Sequence, residues 1–169
     1  MLKYTIPLLI TSSLILAGCA KKPPEDLPAP PIGTEQPQTP PPPAGPGYAQ
    51  GSQGDFLANT MSDRILFDTD RYNVDSQDQI ILQSQAQWLA QRPNARITIE
   101  GHADERGTRD YNLALGERRA NAAKNYLASL GVSPARMTTV SYGKERPEAL
   151  GSNPSAWAKN RRAVSIVVQ

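Results

Sequence analysis

The sequence predicts an α/β fold of the α+β sandwich kind, with helices packed on one face of a small mixed four-stranded sheet. Three observations lead there. Two stretches, Ile81 to Leu89 and Leu115 to Leu130, repeat apolar residues at helical spacing. Four short apolar or alternating runs, at 65–67, 96–100, 137–142 and 163–168, stand before, between and after them. Capping residues, glycines and prolines punctuate these stretches where such elements should begin and end.

In chain order, Ile65-Leu66-Phe67 reads as the first strand, ending at Asp68. Asp75 is an N-cap candidate, with Asp78 three residues on forming a weak capping box. Ile81, Leu82, Gln85, Trp88 and Leu89 then share one helix face, and Pro93 ends the helix by Arg92. Arg96-Ile97-Thr98-Ile99-Glu100 alternates as a strand with Ile97 and Ile99 toward a core, and Gly101 begins a loop. A second helix is expected from about Asn112, as its cap, to Leu130, with a stripe of Leu115, Ala123, Tyr126, Leu127 and Leu130. Gly131 follows as its C′ residue. Met137 to Tyr142 gives a third strand. A loop follows to Asn160, with a turn of helix near Ser155 to Lys159. The final strand, Ala163 to Val168, has Val164, Ile166 and Val168 on one face. Residues 60–169 suffice for one domain with a core that needs no disulfides.

The N-terminus is of a different kind. A basic start and an apolar run broken by Pro7 and Thr11-Ser12-Ser13 read as a targeting segment, residues 1–18, too short and polar for a comfortable membrane span. It ends Leu16-Ala17-Gly18-Cys19, which resembles the lipobox of bacterial lipoproteins. The resemblance implies cleavage before Cys19, acylation of its thiol and amino group, and a firm lipid anchor. Ala20, in place of the Asp of inner-membrane lipoproteins, implies the outer membrane of a Gram-negative envelope, with the domain in the periplasm. Cys19 is the only Cys, so no intramolecular disulfide can form. Most of the chain's 16 prolines lie at or before Pro46, and residues 19–59 read as a disordered, partly polyproline-II tether.

The net charge of +2, with no long basic run, is no nucleic-acid signature. One His and a lipidated Cys cannot make a standard zinc site, no cofactor motif is present, and no Gly-x-Ser-x-Gly nucleophile occurs. Glu100, Asp104 and Glu105 could in principle form an acid pair for glycosidase chemistry. They are at least as well placed to neutralise nearby guanidiniums. His102 alone more often marks a structural hydrogen bond than catalysis. The second helix holds an anomaly: positions 115, 119 and 123 share one face, yet 119 is arginine. Arg119 either snorkels outward near the helix start or is held in a pocket, offering a bidentate fork to a carboxylate. Its neighbour Arg118, on a face with Ala122, Asn125 and Ser129, looks more exposed.

The stretch Gly101-His102-Ala103-Asp104-x-x-Gly107-x-x-x-x-Asn112-x-x-Leu115-x-x-x-Arg119-Ala120 resembles the signature of OmpA-like peptidoglycan-binding domains. Phe67-Asp68 upstream, and Gly143, Pro147 and Asn160-Arg161-Arg162-Ala163-Val164 downstream, are similar to the family's opening and closing stretches. Ala103 and Gly116 depart from it, standing where threonine and serine are common. The resemblance implies noncovalent, non-catalytic binding of the meso-diaminopimelate peptide of peptidoglycan. Asp104 would take the ligand's ammonium and Arg119 its carboxylate, while lysine-type peptide lacks that carboxylate and should bind poorly. Phe67, Asp68, Thr69, His102, Glu105, Leu115, Asn160 and Arg161 are further candidates around this pocket. Asn112, Gly101, Gly107 and Arg162 are expected to be structural, Arg162 as an ion-pair partner. With the lipobox and tether, the layout resembles wall-anchoring lipoproteins of the Tol system. That implies a link between outer membrane and wall, a part in constriction at cell division, and docking to TolB. The alternatives are an anchor of another envelope machine, or an enzyme that cleaves peptidoglycan.

Overall fold

The computed structural model describes residues 47–168. The elements are α1 (Gln53–Asn59), β1 (Arg64–Leu66), α2 (Ser76–Gln91), β2 (Arg96–His102), α3 (Arg109–Ser129), a 3₁₀ turn (Pro134–Arg136), β3 (Met137–Gly143), α4 (Pro154–Asn160) and β4 (Arg162–Val168). The sheet order is β1-β4-β2-β3. The pair β2–β3 is parallel, joined through α3, whereas β4 runs antiparallel to both β1 and β2. This is the expected mixed four-stranded sheet. Its core lies under α2 and α3, where Leu82, Trp88, Leu89, Ala123 and Leu127 meet Ile65, Ile97, Ile99 and Met137.

The capping box of α2 forms as expected. Asp78 N–H donates to Asp75 Oδ1 at 2.8 Å, and Asp75 N–H donates to Asp78 Oδ2 at 3.4 Å. At the end of α3, Gly131 takes φ +94° and Val132 N–H donates back to Leu127 O, a closure that needs the left-handed residue.

Three expectations are corrected. First, α3 begins at Arg109, not Asn112. Thr108 is its cap, the hydroxyl accepting from Tyr111 N–H at 3.3 Å, and the exposed first turn carries no apolar periodicity to announce it. Second, β2 runs through Gly101 to His102. Gly101 lies in the strand because α3 crosses it at Gly116, leaving no room for a side chain on either residue. As expected, β4 keeps Val164, Ile166 and Val168 on one face; it is Ala163, Ser165 and Val167 that it turns toward the helices. Val164 and Ile166 face the other way, and Val168 is about half exposed. Ser165 is tolerated inside because its hydroxyl donates to the buried Gln85 Oε1 at 2.8 Å.

Third, ordered structure starts before residue 60. Ser52 caps α1, and Phe56 is fully buried, edge-on to Trp88 with ring centroids 4.9 Å apart. Arg92 stacks on Trp88 and grips Asp55 through two bonds, of 2.6 and 3.0 Å. Gln53 extends the sheet ahead of the start of β1: its Oε1 accepts from Val167 N–H at 2.7 Å and its Nε2 donates to Ser165 O at 3.4 Å. Glycine and glutamine neighbours mask this short helix in the sequence, although Ser52-x-x-Asp55 marks its cap. The targeting segment, Cys19 and residues 19–46 of the tether lie outside the described residues.

Candidate functional site

The end of the sheet where β1 and β2 finish and β4 begins carries a cavity of about 270 Å³. Among its lining residues are Thr69, Asp70, Asp104, Arg106, Arg119 and Arg161, with Leu115 and Ala103 as apolar wall. Four segments supply it: the loop after β1, the loop between β2 and α3, α3 itself, and the C-cap of α4. Asn112 holds the second loop, its Nδ2 donating to Arg106 O at 2.7 Å from inside α3. Gly107 turns that loop at φ +86°, where glycine alone is unstrained. Asn112, Gly101 and Gly107 thus position the site.

Arg119 is fully buried. Its fork is spent on backbone: Nε donates to Arg71 O at 2.9 Å, Nη1 to His102 O at 2.8 Å and Nη2 to Asp68 O at 3.0 Å. The Phe67 ring lies beside it, its centroid 5.2 Å from the guanidinium carbon. Of the two readings of Arg119, snorkelling fails and burial holds. Its partners, however, are carbonyls that tie the β1 loop to the end of β2. Burial first, and then the charge of Arg161, push its pKa down to about 10, with Asp104 acting in the opposite sense, so it remains a cation at neutral pH.

Asp104, buried, sits between two other guanidiniums. Arg106 Nη2 approaches its Oδ2 at 2.7 Å, and Arg161 Nη1 does so at 3.4 Å. Burial alone raises the pKa of this carboxyl. Hydrogen bonds from the Arg106 side chain and backbone, with its charge and a bond from Arg161, outweigh that and hold it below the usual carboxylate range. The cavity therefore presents fixed charges of both signs beside an apolar wall, a setting for a small zwitterionic group.

The structure brings Thr69, Asp104, Leu115, Arg119 and Arg161 together here. Phe67 and Asp68 line an adjoining depression shared with Arg161. Glu105 stands at the rim, accepting from Trp157 Nε1 at 2.9 Å. Two candidates fall elsewhere. The His102 ring points to the helix-free face of the sheet, near Glu100 and Tyr142, and only its carbonyl serves the site. Asn160 spends its amide on the loop before α4, accepting from Glu148 and Ala149 N–H and donating to Ala149 O. Arg162 is 3.0 Å from Glu148 Oε2, the expected ion pair. Glu100, Asp104 and Glu105 do not converge: they occupy the far sheet face, the cavity and the rim. Sequence reasoning missed Asp70, Arg106 and Tyr111. Tyr111 hydroxyl donates to Asp70 Oδ1 at 3.3 Å across the cavity mouth. The only signal for Arg106 was its place inside the Gly101–Gly107 stretch.

Comparison with known proteins gives a consistent picture. Residues 66–161 match the OmpA family. A peptidoglycan-associated lipoprotein of Agrobacterium fabrum is 50% identical over 159 residues, covering 94% of this chain and 84% of that protein. One of Rhizobium meliloti is 51% identical over 159 residues, with the same coverage, 94% and 84%. The crystal structure of the peptidoglycan-associated lipoprotein from Burkholderia pseudomallei superposes with TM-score 0.62 at 47% identity, covering 67% of this chain and 93% of that one. The C-terminal domain of Helicobacter pylori MotB shares the fold alone, with TM-score 0.59 at 19% identity over 63% of this chain and 84% of that one.

Proposed function

The chain belongs to the OmpA family, within its peptidoglycan-associated lipoproteins, and we propose that the cavity at Asp104 is where it grips the wall peptide. The protein is a non-catalytic, lipid-anchored outer-membrane protein whose periplasmic domain binds peptidoglycan noncovalently and links membrane to wall. The observation that carries the site is a single cavity faced by the Asp104 carboxylate and by the Arg119 and Arg161 guanidiniums.

The ligand we assign is the side-chain end of meso-diaminopimelate, an ammonium and a carboxylate on one carbon. Asp104 accepts from the ammonium. The carboxylate meets the positive field of Arg119 and Arg161, and Leu115 and Ala103 receive the methylene chain. A neutral analogue leaves these charges without partners, so selectivity follows from absence as well as contact. We read Cys19 as the acylated residue and the proline-rich segment after it as the leash. TolB, a partner suggested by family resemblance, is the soluble protein we expect to dock.

The test uses the purified lipoprotein in detergent, titrated with the tripeptide L-Ala-γ-D-Glu-meso-diaminopimelate. Asp104→Ala and Asp104→Asn are expected to weaken binding at least roughly tenfold, the loss of a charge-assisted pair. Parental affinity in both variants overturns the assignment.

A further inference from the structure

In the free pocket the Asp104 carboxylate is already engaged on both oxygens. Oδ1 accepts from the Arg106 backbone N–H at 3.1 Å and from Arg106 Nε at 3.0 Å. Oδ2 accepts from Arg106 Nη2 at 2.7 Å and from Arg161 Nη1 at 3.4 Å. An incoming ammonium has to take one of these places.

The three guanidiniums nearby are not equally able to yield. Arg119 is buried on its three carbonyls. Arg161 is held by Phe67 O at 2.8 Å, with its side chain only 14% exposed. The Arg106 side chain is 42% exposed, and its other contacts are at the surface. One is Thr69 Oγ1 at 3.3 Å; the other is the face of Trp157, whose ring centroid lies 4.3 Å from the guanidinium carbon. Arg106 is the cation that can leave, and the indole gives it somewhere to lean. When the side chain swings away, its backbone N–H can stay on Oδ1 and keep Asp104 oriented.

We propose that Arg106 is a specificity-determining residue: a resident competitor that occupies Asp104 until a ligand bearing both an ammonium and a carboxylate exchanges with it. This rests on the reading of Asp104 as the ammonium acceptor. Exchanging a guanidinium for an ammonium leaves the pairing at Asp104 nearly unchanged, so a ligand with an ammonium alone gains little and strands Arg106. A ligand with an adjacent carboxylate, already drawn in by the field of Arg119 and Arg161, also offers the released planar fork of Arg106 a partner of matching shape. Lysine-type peptide is then refused by an exchange without return, with no steric clash required.

The experiment compares the full lipoprotein and its Arg106→Gln and Arg106→Lys variants. Each is titrated with the diaminopimelate tripeptide and with its L-lysine counterpart. Arg106→Gln is expected to bind the lysine peptide roughly two- to fivefold more tightly, the scale of a half-exposed ion pair. It should not gain for the diaminopimelate peptide, so selectivity narrows. Arg106→Lys restores the competing charge and most of the discrimination. In an Asp104→Ala background, Arg106→Gln brings no gain. If Arg106→Gln leaves the lysine-peptide affinity unchanged or lowers it while Asp104→Ala still abolishes diaminopimelate binding, the competitor role is overturned and the pocket stands. If Asp104→Ala binds like the parent, both fall.

Discussion

Gly101 of β2 and Gly116 of α3 lie backbone against backbone: a Cβ added to Gly116 would stand 2.8 Å from the Gly101 carbonyl oxygen. The contact sets how closely α3 approaches the sheet. Three residues later it brings Arg119 under the end of β2, where Nη1 reaches His102 O. Gly116→Ala gains up to about 1 kcal/mol of helix propensity but forces helix and strand apart, an overpacking that costs about 1–3 kcal/mol. We expect a net loss in the denaturant midpoint. Gly101→Ala gains a similar amount in the strand but meets the Gly116 carbonyl more closely still, so it should fall further.

Arg119 variants should report folding as well as binding. Arg119→Ala leaves three carbonyls, that of His102 buried, without their donor and opens a void, together about 3–5 kcal/mol. Arg119→Lys keeps the charge, yet one ammonium cannot span three carbonyls placed around a planar fork, and it should recover only part of that stability. Asp104→Asn, whose partners reach solvent more readily, is expected to shift the urea midpoint less than Arg119→Ala.

Phe56→Ala should cost about 3–5 kcal/mol, because the ring is fully buried against Trp88. A chain beginning at residue 60 should melt well below one beginning at residue 47, since it loses Phe56, the Asp55–Arg92 pair and the Gln53 bonds to β4 together. Equal melting temperatures would show that α1 is only peripheral.

The fold carries a pH dependence centred on one group. Burial, then the charges of Arg162 and Arg146, push His102 from 6.5 down to about 4, against a backbone bond from Arg146. Its ring faces Glu100 as well, with Nε2 3.5 Å from Oε2, and Arg64 adds to the positive field. The folded protein therefore binds this proton less readily than the unfolded chain. Stability from the neutral ring is full above 6.5 and is lost as pH falls from 6.5 toward 4. Asp55 and Asp104 are both held below the ordinary carboxylate value of 3.8, so their contributions fade only at more acid pH. Asp78, which burial raises, acts in the opposite sense at that acid end. The chain has one His, so His102→Asn should flatten the melting temperature between pH 6.5 and 4. A slope that persists in the variant assigns the effect elsewhere.

Much of the fold was legible because it is written in local signals. Asp75 with Asp78, Pro93, Gly131 and the spacing of Ile97 and Ile99 each act within a few residues, and each element they announce is present. The misplacements were long-range in origin. Gly101 looked like a loop because the reason for it, Gly116, is on another element. That Ser165 belongs to the inward face of β4 has no local signal, because its place in the core depends on Gln85, which lies 80 residues away. In the site, Asp104 and Arg119 stood out by type and position. Their actual partners did not, since carbonyl acceptors leave no trace in side-chain identity and Arg106 meets Trp157 only after α4 has folded back.

The mooring of α1 on Ser165 and Val167 lies at the opposite end of the sheet from Asp104. On the proposed reading, a domain held through α1 and gripping the wall at Asp104 would carry tension along its strands, from one end of the sheet to the other. The ladder joining β2 and β4, paired from Arg96 with Val168 to Gly101 with Ala163, is then loaded in shear, its bonds resisting together rather than opening one by one. The short helix that looked like the last of the leash is where that load enters the fold.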